Sequence, residues 1–132
     1  MDDLRLELID LAADYGARRV FAGVSLTLRS GETLVVAGHN GSGKSTLLRL
    51  LCGLQRPTAG QALYHAGGGR YRPDHARRLV GWVAPDLQLY RELTALENLE
   101  FFARVRGLRR TREELTALLE EVELSGRGEA GP

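Results

Sequence analysis

The chain has 132 residues, 43% of them apolar and 27% charged, enough to bury a core and too apolar for wholesale disorder. Eighteen basic residues against seventeen acidic ones leave a net charge of +1, which argues against a globally basic nucleic-acid binder and against an acidic tail protein. Cys52 is the one cysteine and cannot form an internal disulfide. No apolar run nears the roughly 20 residues of a membrane span, and Met1-Asp2-Asp3 carries no signal-peptide core, so a soluble, intracellular domain is expected.

Leu4, Leu6 and Leu8 alternate with polar residues and predict a half-buried strand, broken by a turn at residues 14–19. Val24, Leu26 and Leu28 alternate in the same way and predict a second strand, with Ser30-Gly31-Glu32 as the turn behind it. Thr33-Leu34-Val35-Val36-Ala37 is continuous and β-branched, the pattern of a strand buried on both faces. A glycine-rich loop follows at residues 38–43. Leu47, Leu48, Leu50 and Leu51 then fall at helical spacing, with Gly53 as the C-terminal cap.

Beyond the turn at Pro57-Thr58-Ala59-Gly60, a short strand is predicted at residues 61–64, a flexible glycine connection at 67–69 and one helical turn at 74–78. Leu79-Val80-Gly81-Trp82-Val83 reads as another strand, ended by Pro85. Thr94-x-x-Glu97 and Thr111-x-x-Glu114 are capping boxes. They open one helix over about residues 95–106, stopped by Gly107, and a second through Leu115, Leu118, Leu119 and Val122. The last eight residues form a polar, glycine-rich tail, with a helix end and glycine cap at Leu124-Ser125-Gly126.

Gly38-His39-Asn40-Gly41-Ser42-Gly43-Lys44-Ser45 fits the G-x-x-x-x-G-K-[ST] phosphate loop, with an expected strand before it and a helix after it. Glycines let the backbone curl so that its N–H groups point inward as an anion nest for the α- and β-phosphates. The positive end of the helix adds to that field. Lys44 is the only lysine in a chain whose other cations are all arginine, and its compact charge reaches β- and γ-phosphate oxygens. Ser45 is placed to coordinate Mg2+, and Thr46 to help hold the α-phosphate. His39 and Asn40 are loop residues with no assigned chemistry.

These features resemble the N-terminal portion of an ABC-family ATP-binding subunit. The likeness runs through Tyr15-Gly16, Val24-Ser25-Leu26-Thr27-Leu28, the phosphate loop, Leu47 to Leu54, Pro57 to Gly60, and Glu92-Leu93-Thr94-Ala95-Leu96-Glu97-Asn98-Leu99. It implies an α/β fold: a P-loop NTPase core with a small antiparallel β-subdomain and the start of a helical subdomain. Residues 4–85 then supply the nucleotide-binding core, 86–124 the glutamine-loop region and helical start, and 125–132 the tail. It further implies that Tyr15 stacks on adenine, that Val20 packs beside the base, and that the site uses ATP and Mg2+. Expected partners are a membrane-spanning transporter subunit, docking near residues 86–102 on Leu87, Leu89 and Tyr90, and a second ATP-binding subunit that dimerises on ATP. No nucleic-acid partner is expected. The location implied is cytoplasmic, peripheral at the inner face of the cell membrane.

The chain departs from the family pattern in three places. The position of the Mg2+-contacting glutamine is taken by Pro85, with Asp86 and Gln88 the nearest polar replacements. Leu124-Ser125-Gly126-Arg127-Gly128 breaks from the family's LSGGQ signature. No apolar strand ending in Asp-Glu follows, so the sequence is expected to be truncated before the residues that activate water. Nucleotide binding without efficient hydrolysis is therefore the expectation for this chain. The competing readings are a soluble ABC-type ATPase acting on ribosomes or DNA and a non-catalytic nucleotide-binding remnant. The arginines around Gly107 read as solvated helix ends paired with nearby glutamates, and His39, His65 and His75 lack metal-ligand spacing.

Overall fold

Leu6 and Leu8 point inward from the first strand as the alternation requires, and then the pattern changes: Leu11, Ala12 and Ala13 are all buried. The cause is a bulge at Asp10. Leu8 pairs with Leu26 and Leu11 with Val24, so one extra residue is inserted on the first strand. Asp10 takes a positive φ of 45°, its N–H donates to Ser25 Oγ at 2.9 Å, and the Ser25 hydroxyl donates back to Asp10 Oδ1 at 3.3 Å. The bulge also explains Gly60 on the neighbouring strand. A Cβ there would lie 2.1 Å from the Asp10 carbonyl oxygen.

The computed structural model describes residues 4–85 and 87–124. It divides into two units, Met1–Trp82 and Val83–Pro132. The first holds strands β1 (Arg5–Tyr15) and β2 (Arg18–Arg29), helix α1 (Lys44–Leu51), and strands β3 (Ala59–Ala66) and β4 (Gly69–Tyr71). The strands form one antiparallel sheet in the order β2-β1-β3-β4. Helix α1 lays Leu50 and Leu51 against Leu6, Leu8, Leu11, Ala13 and Ala62. Leu8, Leu11 and Leu50 are wholly buried, each contributing about 2 kcal/mol by the area it removes from water. The Tyr64 hydroxyl donates to the Leu51 carbonyl at 2.9 Å, tying β3 to the end of α1, and burial pushes its pKa up to about 12.

Three expectations need correction here. Residues 33–37 form no strand and pair with none among the described residues, and Val35 is 80% exposed. A continuous apolar run becomes a doubly buried strand only when neighbours supply a ladder on both edges, and both edges of β1 are already taken by β2 and β3. Residues 80–83 likewise form no strand, Leu79 ending a 3₁₀ turn (Arg77–Leu79) and Val83 standing 85% exposed. The glycines at 67–69 make a tight β3–β4 hairpin instead of a loose connection, with Gly67 and Gly68 in the turn.

The second unit holds α2 (Ala95–Val105) and α3 (Arg112–Glu121). Both capping boxes form as read, Thr94 with Glu97 and Thr111 with Glu114. Leu96, Leu115 and Leu119 are buried between the helices with Ala95, Leu99 and Leu124 packed around them. The glycine cap read at Gly126 lies outside the described residues, and α3 itself ends at Glu121 with Val122 as its C-cap. Leu124 N–H donates to Leu119 O at 2.7 Å, with Glu123 in the left-handed region at φ 59°. Helices α1 and α2 close with the same bond pattern, at Gly53 and Gly107. A glutamate at this position carries a steric cost that glycine avoids. Glu123→Gly is expected to stabilise the chain by about 1 kcal/mol, read as a higher midpoint in urea unfolding; a lower midpoint contradicts the cap assignment.

Candidate functional site

Helix α1 begins unlike α2 and α3. Thr94 and Thr111 close the N-termini of α2 and α3 with their side chains, but α1 starts at Gly43, with no side-chain cap. The N–H groups of Gly41, Gly43, Lys44 and Ser45 find no acceptor among the described residues. A helix start with free amides is a site of positive potential that an anion satisfies.

The loop before α1 is built for close approach. Its backbone folds back on itself through Ser42 N–H donating to His39 O at 3.2 Å. Gly43 has φ 98°, and a Cβ there would come within 2.6 Å of Val20 Cγ1. Val20 reaches that position because of a second bulge: Arg19 pairs with Asp14 and Phe21 with Ala13, so Val20 is the extra residue of β2, turned toward the loop. At the other end of the loop, a Cβ on Gly38 would lie 2.6 Å from Ser42 Oγ, a buried hydroxyl without a hydrogen-bond partner. Lys44 folds its ammonium over the loop, donating to Gly38 O and to His39 O, the latter at 2.9 Å.

Tyr15 and Val20 from the β1–β2 hairpin face Asn40, Gly41 and Gly43 from the loop and Lys44, Ser45 and Thr46 from the start of α1. These residues share one open cavity of about 290 Å³. Tyr15 is 81% exposed, its ring free to serve as a platform. Gly38, His39 and Ser42 lie in the loop but off the cavity wall, with His39 Nδ1 donating to Asn40 O at 2.9 Å. The wall also includes Arg18, which the sequence reading passed over as part of a turn. Its signal was the hairpin: across a two-residue turn Arg18 is the direct partner of Tyr15.

A second cavity of the first unit, about 320 Å³, is lined by Leu11, Leu50, Arg56, Arg72 and Asp74 among others. There Asp74 lies 3.6 Å from both arginines and occupies their charge. The chemistry of an anion site therefore belongs to the smaller cavity, where amides and an ammonium converge.

The chain matches the ABC transporter family over residues 21–130. It belongs to that family. It is 40% identical over 99 residues to the cytochrome c biogenesis ATP-binding export protein CcmA of Shigella flexneri and to that of Escherichia coli K12, a match covering 75% of this chain and 48% of each relative. Among solved structures it is similar to an ATP binding subunit of an ABC transporter, with a TM-score of 0.78, 33% identity and coverage of 96% of this chain and 54% of that one. A putative ABC transporter ATP-binding protein from Pyrococcus furiosus shares the fold at a TM-score of 0.78 and 23% identity. The chain thus spans about half the length of the relatives it matches. Its fold is the α/β phosphate-loop ATPase fold of ABC proteins, in part. The family match begins at residue 21, after Tyr15, Arg18 and Val20.

ABC proteins use ATP and Mg2+. Among the described residues that line the cavity, the side-chain oxygens are the Ser45, Thr46 and Tyr15 hydroxyls and the Asn40 amide oxygen, with no carboxylate. That set suits a Mg2+ held chiefly by nucleotide phosphates and water with one protein hydroxyl, the way this hard ion is usually bound beside phosphates. Of the two residues expected to replace the loop glutamine, Asp86 lies outside the described residues, and Gln88 is exposed in the second unit, as is Pro85. Among the described residues no group of three or more His, Cys, Asp or Glu side chains is arranged to hold a metal.

Near Gln88, the second unit carries a residue whose importance the sequence reading missed. Asn98 is 3% exposed. Its Nδ2 donates to Tyr90 O, Leu93 O and Thr94 O at 3.0, 3.2 and 3.0 Å, and its Oδ1 accepts from Tyr90 N–H at 2.9 Å. One side-chain amide thus fixes the turn that leads into α2. Tyr90, held by both its backbone groups, packs edge-on against Phe101 at 4.9 Å. The available signal was an asparagine inside an apolar helical stretch, where its side chain competes with the backbone unless it has a partner.

Proposed function

We propose that this chain binds Mg-ATP as the nucleotide-holding part of an ABC transporter ATPase subunit, and that the whole protein hydrolyses ATP to power transport across a membrane. The observation that carries the reading is the uncapped start of α1, with unpaired amides and the ammonium of Lys44 beside it. Tyr15 stacks on adenine and Val20 packs beside the base. The loop amides cradle the α- and β-phosphates, Lys44 moves from the Gly38 and His39 carbonyls onto β- and γ-phosphate oxygens, and Thr46 steadies the α-phosphate. Ser45 supplies the protein oxygen to Mg2+. The ion neutralises phosphate charge when bound.

Hydrolysis needs a group that orients and activates water at the γ-phosphate. Among the described residues no carboxylate lines the cavity, and on this reading the chain binds nucleotide without efficient turnover. In the whole protein, Leu87, Leu89 and Tyr90, each about half exposed, meet a membrane-spanning partner, and a second ATP-binding subunit closes on the nucleotide. No helix among the described residues is long and apolar enough to cross a membrane, which suits a subunit that sits at the membrane through that partner. The likeness to CcmA favours an export subunit.

Two measurements test this. The chain is expected to bind Mg-ATP saturably while releasing phosphate no faster than a Lys44→Met control; Lys44-dependent release contradicts the binding-only state. The whole protein, extracted in mild detergent, is expected to co-purify with an integral membrane protein. Repeated isolation without one contradicts the transporter assignment.

A further inference from the structure

Two arginines leave the β1–β2 turn side by side, and their surroundings differ. Arg19 donates to both oxygens of Asp14, Nε to Oδ1 at 2.8 Å and Nη2 to Oδ2 at 3.3 Å. That hydrogen bond holds the Asp14 carboxyl below its usual range, so the Arg19 charge already has its counterion. The Arg18 side chain makes no hydrogen bond or ion pair with any described residue, and it lines the cavity of the phosphate loop. An exposed arginine without a partner is ordinary. One that forms the wall between a flat aromatic ring and a ring of free amides is not.

Its position along that wall decides what it meets. Arg18 is the cross-strand partner of Tyr15, and two residues further on Val20 touches the space beside Gly43. The wall therefore runs from Tyr15 through Arg18 and Val20 to the loop. With the base at Tyr15 and the terminal phosphates at Lys44, the stretch facing Arg18 is the ribose and the α-phosphate, and of these only the phosphate is an anion. A guanidinium binds phosphate oxygens through paired, charge-assisted hydrogen bonds.

We propose that Arg18 is a nucleotide-binding residue whose guanidinium contacts the α-phosphate of the nucleotide lying between Tyr15 and the phosphate loop. This deepens the ATP-binding reading above and rests on it. The contact adds affinity for any adenine nucleotide with at least one phosphate, and none for the nucleoside.

The test is competition of adenosine, AMP, ADP and Mg-ATP against a fluorescent ATP analogue on this chain, in 0.15 M and 0.5 M salt to separate contact from long-range field. Arg18→Ala is expected to weaken AMP, ADP and ATP alike by about fivefold at both salts, as for a partly exposed charge-assisted contact, and to leave adenosine unchanged. Arg18→Lys is expected to keep part of the AMP affinity, and Arg19→Ala to change none of the four. The proposal is overturned if Arg18→Ala binds nucleotides like the wild type, if adenosine weakens as much as AMP, or if Arg19→Ala has the same effect. Binding that Lys44→Met abolishes but Arg18→Ala spares overturns this inference alone. A wild-type chain without nucleotide affinity overturns the ATP-binding reading with it.

Discussion

Lys44→Met is expected to lower the affinity of this chain for Mg-ATP by about 100-fold, two charge-assisted contacts of roughly 1.5 kcal/mol each being lost. Methionine keeps the length and apolar stem of the lysine and removes only the ammonium, so circular dichroism and the unfolding midpoint are expected to move little. Lys44→Arg is expected to recover only a small part of the affinity. Its wide planar fork does not fit where the compact ammonium sits, over a loop whose carbonyls at Gly38 and His39 crowd the same space. Calorimetric titration reads both. Unchanged affinity in the methionine variant contradicts the phosphate-loop assignment.

Asn98→Leu is expected to destabilise the second unit by about 3 kcal/mol, because leucine fills the space but leaves the Tyr90 N–H and the Leu93 carbonyl without their partner, and leaves the Tyr90 and Thr94 carbonyls only the backbone N–H groups of Leu93 and Asn98. Hydrogen exchange gives the local reading, with the Tyr90 amide losing protection ahead of the amides inside α2. Asn98→Asp separates shape from hydrogen bonding. The carboxylate can still accept from Tyr90 N–H, but it faces three carbonyl oxygens with no proton to give. It is expected to be at least as destabilising as leucine at neutral pH, and to regain stability in acid as the carboxyl becomes a donor. An Asn98→Leu chain that unfolds at the wild-type urea concentration contradicts this account of the turn. The consequence reaches function through Tyr90, since two of these four bonds hold the residue proposed to meet the membrane partner.

The parts of the fold that were legible in the sequence are those decided locally. Both capping boxes, the leucine face of α1 and the alternation at Leu6 and Leu8 need no distant partner to be recognised, and the phosphate loop announces itself by its glycines and lone lysine. The bulges at Asp10 and Val20 were not legible. Each is a mismatch between two strands, and no single strand's pattern records it. The stretch at residues 33–37 shows the converse. Its composition demands a buried strand, yet Val35 stands exposed because a ladder is a property of neighbours. Arg18 and Asn98 were missed for a related reason. One matters by lying across a turn from Tyr15, the other by being buried with every polar atom bonded, and neither fact exists before the chain is folded.

The central claim is that the main-chain amides around Gly41 to Ser45 hold the polyphosphate of an adenine nucleotide. Amide-resolved NMR of the isotope-labelled chain, titrated with Mg-ATP, tests it most directly. The largest shifts are expected at residues 40–46, with smaller ones at Tyr15 and Val20, and the Lys44→Met chain is expected to need about 100-fold more nucleotide to reach them. Shifts centred instead on the cavity of Arg56, Arg72 and Asp74, or no shifts at saturating nucleotide, contradict it.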